Sequence, residues 1–161
     1  MTAPSSPYLI DNRLADILAA IPVLATYKWA TRTPEKWAES LGNPVSASSW
    51  LEVFRQHPEF FRINDEGKVT SRWRHGYDRN ISVSMGRELS ADELQTLPDD
   101  QEKKDLTRRP LEATQIEALL KTAIELHARG IAHVQEKRWL TPLLFALLGT
   151  VLGAVLQSAL K

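Results

Sequence analysis

The chain has 161 residues, which is the size of one ordinary domain or of a small domain with an appendage. Its 20 basic and 20 acidic residues balance, which argues against a strongly nucleic-acid-binding protein because such proteins carry a basic excess. The lack of cysteine excludes disulfides, thiolate metal sites and cysteine nucleophiles.

The first predicted elements are a flexible N-terminus and a long helix. Residues 1–11 lack a basic segment followed by an apolar run, so we expect no secretory signal there. Apolar residues such as Ile17 and Leu24 then recur at helical spacing and predict a helix from about residue 12 to residue 29. Pro22 is expected to kink this helix.

Two shorter helices are predicted next. Thr33 has the position of an N-cap for the second helix, and Pro34 suits its first turn because that position needs no backbone N–H. Ser46 is expected to open the third helix. Val45 and Trp50 have the spacing of a hydrophobic staple around that start.

A β-hairpin is predicted after the third helix. Phe61 with Ile63, and Val69 with Trp73, alternate with polar residues on the two sides of the turn sequence Asn-Asp-Glu-Gly at 64–67. Alternation of this kind is typical of two half-buried strands.

Three helices followed by a hairpin give the element order of a winged helix, which we expect to occupy residues 12–86. A further short strand is predicted at 81–85, where apolar and polar residues alternate. The predicted fold class is therefore α+β and mainly α. The predicted core consists of Leu14, Ile17, Leu18, Ile21, Leu24, Trp37, Leu41, Trp50, Val53, Phe54, Phe61, Ile63 and Trp73.

Residues 87–113 are predicted to form a short helix and a polar linker. Ser90 and Glu93 have the spacing of a capping box. The run DDQEKKDLTRRP at 99–110 is almost wholly polar, which is typical of a linker.

Residues 114–138 are predicted to form an amphipathic or coiled-coil-like helix that begins with a capping box at Thr114 and Glu117. Further along this helix, a repeat at steps of four and three favours a short dimeric stalk that continues into the membrane. The alternative is a helix that folds back on the winged-helix domain. The stalk seam repeats at steps of four and three and consists of Leu120, Ile124, His127, Ile131 and Val134.

The end of the chain, residues 139–161, is predicted to be one transmembrane helix. The 22 residues from Trp139 to Leu160 carry no charge. As a helix they would extend about 33 Å, close to the thickness of the hydrocarbon slab. The alternative, a buried helix of a soluble bundle, is disfavoured because so small a chain cannot cover such a helix on every side. Lys137 and Arg138 before the span favour a cytoplasmic N-terminal domain.

One face of the predicted span carries small residues. Gly149 and Gly153 form a G-x-x-x-G motif, which lets two helices approach closely in lipid. Ala146 extends the small surface, and Gln157 lies one turn further on and can offer an interhelical hydrogen bond. We therefore expect self-association or association with a partner helix through this face, with chance occurrence of the two glycines as the alternative.

We identify no catalytic, cofactor-binding or metal-binding residue in the sequence. His127 and His133 are six residues apart and point to different faces of a helix, unlike a metal-binding pair at i and i+4. His57 lies at a helix end beside the core, where a packed role is expected. The sequence lacks a phosphate-binding loop, a G-x-S-x-G motif and a dinucleotide fingerprint, so we expect no enzymatic activity.

A basic surface is expected on the third helix and the hairpin. It would contact either a protein partner or DNA, since winged helices do both. Glu52 on the reading helix and the near-neutral charge favour a protein partner over DNA. The residues of this predicted surface are Arg55, Gln56, Arg62, Lys68, Arg72 and Arg74.

The stretches ADILAAIPVLATYKWATRTPEKWAESLG and WLEVFRQHPEFFRINDEGKVTSRWR resemble a winged-helix-like region of bacterial proteins that have no assigned activity. The resemblance covers roughly residues 14–77, with a looser likeness over 110–140. Some of those proteins also end with a helix and a membrane anchor. The resemblance implies a bacterial protein that faces the cytoplasm from the inner membrane.

Three hypotheses for the function follow. The first is a membrane-anchored adaptor or sensor that self-associates and displays its winged-helix domain to a cytosolic protein. The second is a membrane-tethered DNA-binding regulator. The third is a small membrane-perturbing effector that is controlled by its cytosolic domain.

The glycine face can be tested by replacing Gly149 and Gly153 together with leucine. The added side chains should keep two helices apart, so the oligomer in mild detergent should dissociate, as measured by light scattering. Val151→Leu adds bulk on another face and should leave the oligomer intact. An unchanged oligomer in the double variant would refute self-association through the glycines.

Overall fold

The computed structural model describes residues 6–97 and 103–133. Within them the protein is α+β and mainly helical, as predicted. The predicted transmembrane helix at 139–161, with its packing residues Ala146, Gly149, Gly153 and Gln157, lies outside the described residues. Val134 of the predicted seam also lies outside them. None of the described helices is long and apolar enough to cross a bilayer.

The described elements follow one another in short segments. A 3-10 turn at Pro7–Leu9 precedes the helices and strands. The helices are α1 (Arg13–Thr26), α2 (Pro34–Leu41), α3 (Trp50–Gln56), α4 (Arg72–His75), α5 (Ala91–Thr96) and α6 (113–133). The strands are β1 (Phe61–Ile63), β2 (Val69–Ser71), β3 (Ile81–Ser82), β4 (Arg87–Glu88) and β5 (Leu106–Thr107).

The start of α2 is as predicted, whereas α3 starts later than predicted. The Thr33 side chain accepts a hydrogen bond from the Lys36 N–H and caps α2. Helix α3 begins at Trp50, because the backbone N–H and hydroxyl of Ser46 donate to the Asp16 carboxylate and hold that segment outside the helix. Val45 is exposed, so the predicted staple is wrong.

The predicted hairpin is present. Strands β1 and β2 pair antiparallel, with Phe61 opposite Ser71 and Ile63 opposite Val69. In the turn between them, Gly67 has a φ of 74°, which glycine adopts without strain. Residue Arg32, between α1 and α2, adds a bridge to Val69 at the other edge of β2.

The second hairpin strand ends at Ser71 and the chain turns into α4. The Arg72 N–H donates to the Phe60 carbonyl, and the chain then leaves the sheet. Trp73 is 44% exposed, so its predicted place in the core is wrong. The rest of the predicted core is buried or packs against the buried cluster.

Arg74, which was predicted to lie on the surface, is fully buried. Its guanidinium donates only to backbone carbonyls, namely those of Leu24, Tyr27, Arg108 and Arg109, at 2.5–3.2 Å. The carbonyl of Leu24, in the last turn of α1, and that of Tyr27, the residue that follows α1, lie at the C-terminal end of that helix, where the helix dipole favours a cation.

The predicted polar linker contains a strand. Strand β5 pairs with β3 in a three-stranded antiparallel sheet of order β4–β3–β5. The linker prediction is therefore wrong for 106–111, because this segment makes specific long-range hydrogen bonds. The buried Ala30 N–H donates to the Thr107 hydroxyl, and the Leu111 N–H donates to the Ala25 carbonyl. The predicted capping box of Ser90 and Glu93 is present at α5.

Helix α6 packs on the domain, which is the alternative to a free stalk. Leu119 and Ala123 are buried in the main cluster. Leu120 and His127 are half-buried, whereas Ile124 and Ile131 are 50% and 39% exposed. Self-association through the two exposed isoleucines stays a prediction.

The two ends of the described domain meet at Tyr8. Its ring is buried in the core, and its Cβ lies 3.4 Å from where a Cβ on Gly130 of α6 would be. Residues 7–11 are therefore part of the fold rather than a flexible tail. Helix α6 also begins earlier than Thr114, because the Gln115 side chain accepts from the Glu112 N–H.

The packing of α6 can be tested with a matched pair of alanine variants. Leu119→Ala should lower the free energy of unfolding by about 2–4 kcal/mol, because it leaves a cavity in the core. Ile124→Ala on the exposed face should change it by less than about 0.5 kcal/mol. Urea unfolding of the full chain in detergent micelles, followed by tryptophan fluorescence, would measure both. Equal changes in the free energy of unfolding would contradict the finding that α6 packs on the domain through the face that carries Leu119.

Candidate functional site

The candidate functional site is a cleft between the β1–β2 hairpin and strand β5, with a volume of about 560 Å³. Volumes of this size are typical of ligand-binding pockets. Glu66 is the one carboxylate among its described lining residues, and it pairs with Lys68 at 2.6 Å. We call this site the cationic cleft, after its basic side chains Arg62, Lys68, His75, Arg79, Lys104 and Arg108.

Strand periodicity explains how the hairpin contributes to the cleft. Phe61 on β1 is buried in the core, and Arg62 points to the opposite face because side chains alternate along a strand. Thr70 is directly opposite Arg62 on β2 and also lines the cleft. Trp29 and Thr31 line the cleft from the segment after α1.

Two guanidinium groups in the cleft are held in place by the backbone. Nε of Arg79 donates to the Leu106 carbonyl at 2.7 Å, and Nε of Arg108 donates to the Tyr77 carbonyl at 3.0 Å. No described residue accepts a hydrogen bond from the terminal nitrogens of either group. A guanidinium fixed in this way presents its terminal N–H groups as a fork that matches two oxygens of an anion.

The positive charges in the cleft repel one another. Burial lowers the pKa of Arg108, and Arg79 and Arg62 lower it further. Burial also lowers the pKa of His75, with added contributions from Arg108, Arg62 and Arg72. Because no described carboxylate forms a salt bridge with Arg62, Arg79 or Arg108, the cleft favours an anionic ligand that would relieve this repulsion.

Only two of the six predicted surface residues lie in the cleft, namely Arg62 and Lys68. Arg55 is exposed on α3, away from the cleft lining. Nε of Arg72 donates to the Pro58 carbonyl at 2.7 Å, and Arg74 is inside the core. The predicted surface is therefore not one surface.

The predicted reading face of α3 is partly occupied by Arg13. This buried guanidinium donates to the Gln56 side chain at 2.6 Å and lies 3.8 Å from the Glu52 carboxylate. Gln56 is thus bound within the fold rather than free to contact bases.

Four residues of the cleft were missed in the sequence, namely His75, Arg79, Lys104 and Arg108. All four lie beyond the predicted hairpin, and Lys104 and Arg108 lie in the segment that was predicted to be a linker. The available signal was the pair of basic runs, Lys103-Lys104 and Arg108-Arg109, on both sides of Leu106-Thr107.

His57 lies outside the cleft, in a buried cluster at the end of α3. Its Nδ1 is 3.0 Å from Oε1 of Glu59, which also accepts a hydrogen bond from the Tyr8 hydroxyl. The rings of Tyr8 and His57 meet edge to face at 4.8 Å. This packing fits a structural role. Residues 6–97 and 103–133 contain no group of three or more metal-ligating side chains.

Comparison with protein-family models, with curated proteins and with solved structures finds no match.

The cleft electrostatics can be tested through His75. Because its pKa in the folded protein is below the ordinary value of 6.5, the unfolded chain binds more protons between these two pH values. The free energy of unfolding should therefore fall as the pH is lowered from about 7 through 6.5, and His75→Gln should reduce that fall. His133→Gln, on the exposed end of α6, is the control. An unchanged pH slope in His75→Gln would contradict the lowered pKa of His75.

Proposed function

We propose that this protein is a non-enzymatic adaptor or sensor, anchored in the bacterial inner membrane, that holds an anionic segment of a cytosolic protein in its cationic cleft. The observation that carries this proposal is the pair of backbone-anchored guanidiniums, Arg79 and Arg108, in a cleft where no described carboxylate neutralises them. Groups arranged in this way cost stability through repulsion, and an anionic partner would offset that cost.

The proposal includes a winged-helix relationship for the N-terminal domain. It is supported by the order α1, α2, α3, β1, β2 and by the bridge from Arg32 to Val69, which places a third extended segment beside the hairpin. The element order suits this class, in which the hairpin is the wing.

A protein partner is favoured over DNA for two reasons. On α3, Gln56 and Glu52 are engaged by the buried Arg13, which removes side chains that would contact base edges. The basic residues converge in one cleft instead of forming the extended track that a nucleic-acid backbone requires. The proposed partner therefore presents one compact anionic group to the cleft.

The proposed anchor is the helix predicted at 139–161, which carries no charge from Trp139 to Leu160, with the domain on the cytoplasmic side. Lys137 and Arg138 before it support that orientation. Ile124 and Ile131, exposed on α6 and seven residues apart, together with Gly149 and Gly153, support proposed self-association.

Site-specific photo-crosslinking in intact membranes tests whether partners dock at the cleft. A photoreactive amino acid at Glu66, on the cleft rim, should give a discrete crosslinked product. The same group at Val45, which is exposed and does not line the cleft, should not give that product.

A matched pair of charge-removing variants tests whether the crosslinked product depends on the cleft. Arg79→Gln should lower the yield of the Glu66 product at least fivefold, because it removes one of the two forks. Arg129→Gln removes the same charge from the exposed surface of α6 and should leave the yield unchanged. Equal yields in both variants would refute docking at the cleft.

A further inference from the structure

The number and arrangement of cations in the cleft narrow the chemistry of its ligand. Arg79 and Arg108 each offer a fork of two N–H donors, and Arg62 and Lys104 add two more cations. A carboxylate has two oxygens and one negative charge, which one fork satisfies. A phosphate monoester has three free oxygens and carries about −1.5 to −2 charges at neutral pH, which matches two forks.

His75 adds a donor that depends on the charge of the ligand. It lines the cleft and makes no hydrogen bond with a described residue. Burial, and after it the positive neighbours Arg108, Arg62 and Arg72, lower its pKa and favour its neutral form. A dianion in the cleft would offset the repulsion from these neighbours and favour the protonated form, in which His75 can donate to a third oxygen.

The cleft also discriminates between a monoester and a nucleic-acid backbone. Each internal phosphate of a nucleic acid is a diester with a single charge, and successive charges are spread along the strand. The cationic residues here converge from β1, the segment after α4 and the segments on both sides of β5 on one cavity of about 560 Å³. Cations that converge on one cavity suit a single terminal phosphate of high charge better than a strand of singly charged phosphates.

We propose that the cationic cleft binds a phosphate monoester carried by a phosphorylated side chain of the protein partner. This inference rests on the proposed function and specifies the group that the partner presents. Arg79 and Arg108 donate hydrogen bonds to the phosphate oxygens, while Arg62 and Lys104 neutralise the remaining charge. The partner therefore docks when phosphorylated and is released when the phosphate is removed.

Calorimetric titration of the full chain in non-ionic detergent tests the inference. The probes are N-acetyl-phosphoserine methylamide, N-acetyl-glutamate methylamide, inorganic phosphate and a dodecathymidylate without terminal phosphates. The phosphoserine probe should bind at least tenfold more tightly than the glutamate and oligonucleotide probes, and more tightly than inorganic phosphate. Arg79→Gln and Arg62→Gln should each weaken its binding at least fivefold, and Arg129→Gln should not.

Arg79→Lys keeps the charge but removes the fork, so it should behave like Arg79→Gln. If lysine restores full affinity, the cleft attracts anions without recognising phosphate, and the inference is wrong. Arg62→Gln breaks no hydrogen bond between described residues, so it reports on the cleft even if Arg79 variants fold poorly.

The other outcomes separate the two proposals. Binding of the glutamate probe as tight as that of phosphoserine would overturn the phosphate inference and leave docking of an acidic protein segment standing. If inorganic phosphate bound as tightly as phosphoserine, the inference that the phosphate is carried by a protein would be overturned. Tighter binding of the oligonucleotide than of phosphoserine would overturn the inference in favour of a nucleic-acid ligand. No binding of any probe, with cleft-dependent crosslinking retained, would overturn the phosphate inference alone.

Discussion

The buried guanidinium of Arg74 is the interaction on which the arrangement of this domain depends. It joins the C-terminal end of α1, through the carbonyls of Leu24 and Tyr27, to the carbonyls of Arg108 and Arg109. Burial lowers the pKa of Arg74 to about 10, which still leaves it charged at neutral pH. A buried cation is tolerated only when its hydrogen bonds are satisfied, so the four carbonyls have to be where they are.

The same interaction builds the cleft. By holding the backbone at Arg108 beside α1, Arg74 sets the position at which β5 joins β3 and faces the hairpin. Side chains from two distant parts of the sequence, Arg62 and Arg108, then line one cavity. The positive charge of Arg74 contributes to this environment, since Arg108 lowers the pKa of Arg74 and the two groups therefore repel each other. The hydrogen bonds of Arg74 thus bring together basic side chains that are far apart in the sequence.

Local chemistry explains which features could be predicted from the sequence. The cap at Thr33, the turn at 64–67 and the capping box at Ser90 each depend on residues within four positions, so short patterns indicate them. Arg74 and β5 could not be predicted in this way, because their partners are more than 20 residues away. A buried arginine and a strand of two residues carry no periodic signal. Most of the helical core was therefore predictable, and most of the cleft was not.

The proposed anchor constrains what the cleft can bind. Only five residues separate the last described residue of α6 from Trp139, a segment that extends no more than about 20 Å. If the proposed anchor holds the domain at the inner leaflet, the anionic headgroups there would compete for its cations. Most of those headgroups are phosphodiesters with one charge on the phosphate. A ligand with two charges on one group would compete better than these headgroups for two converging guanidiniums, so the proposed anchor and the proposed selectivity for a phosphate monoester are consistent with each other.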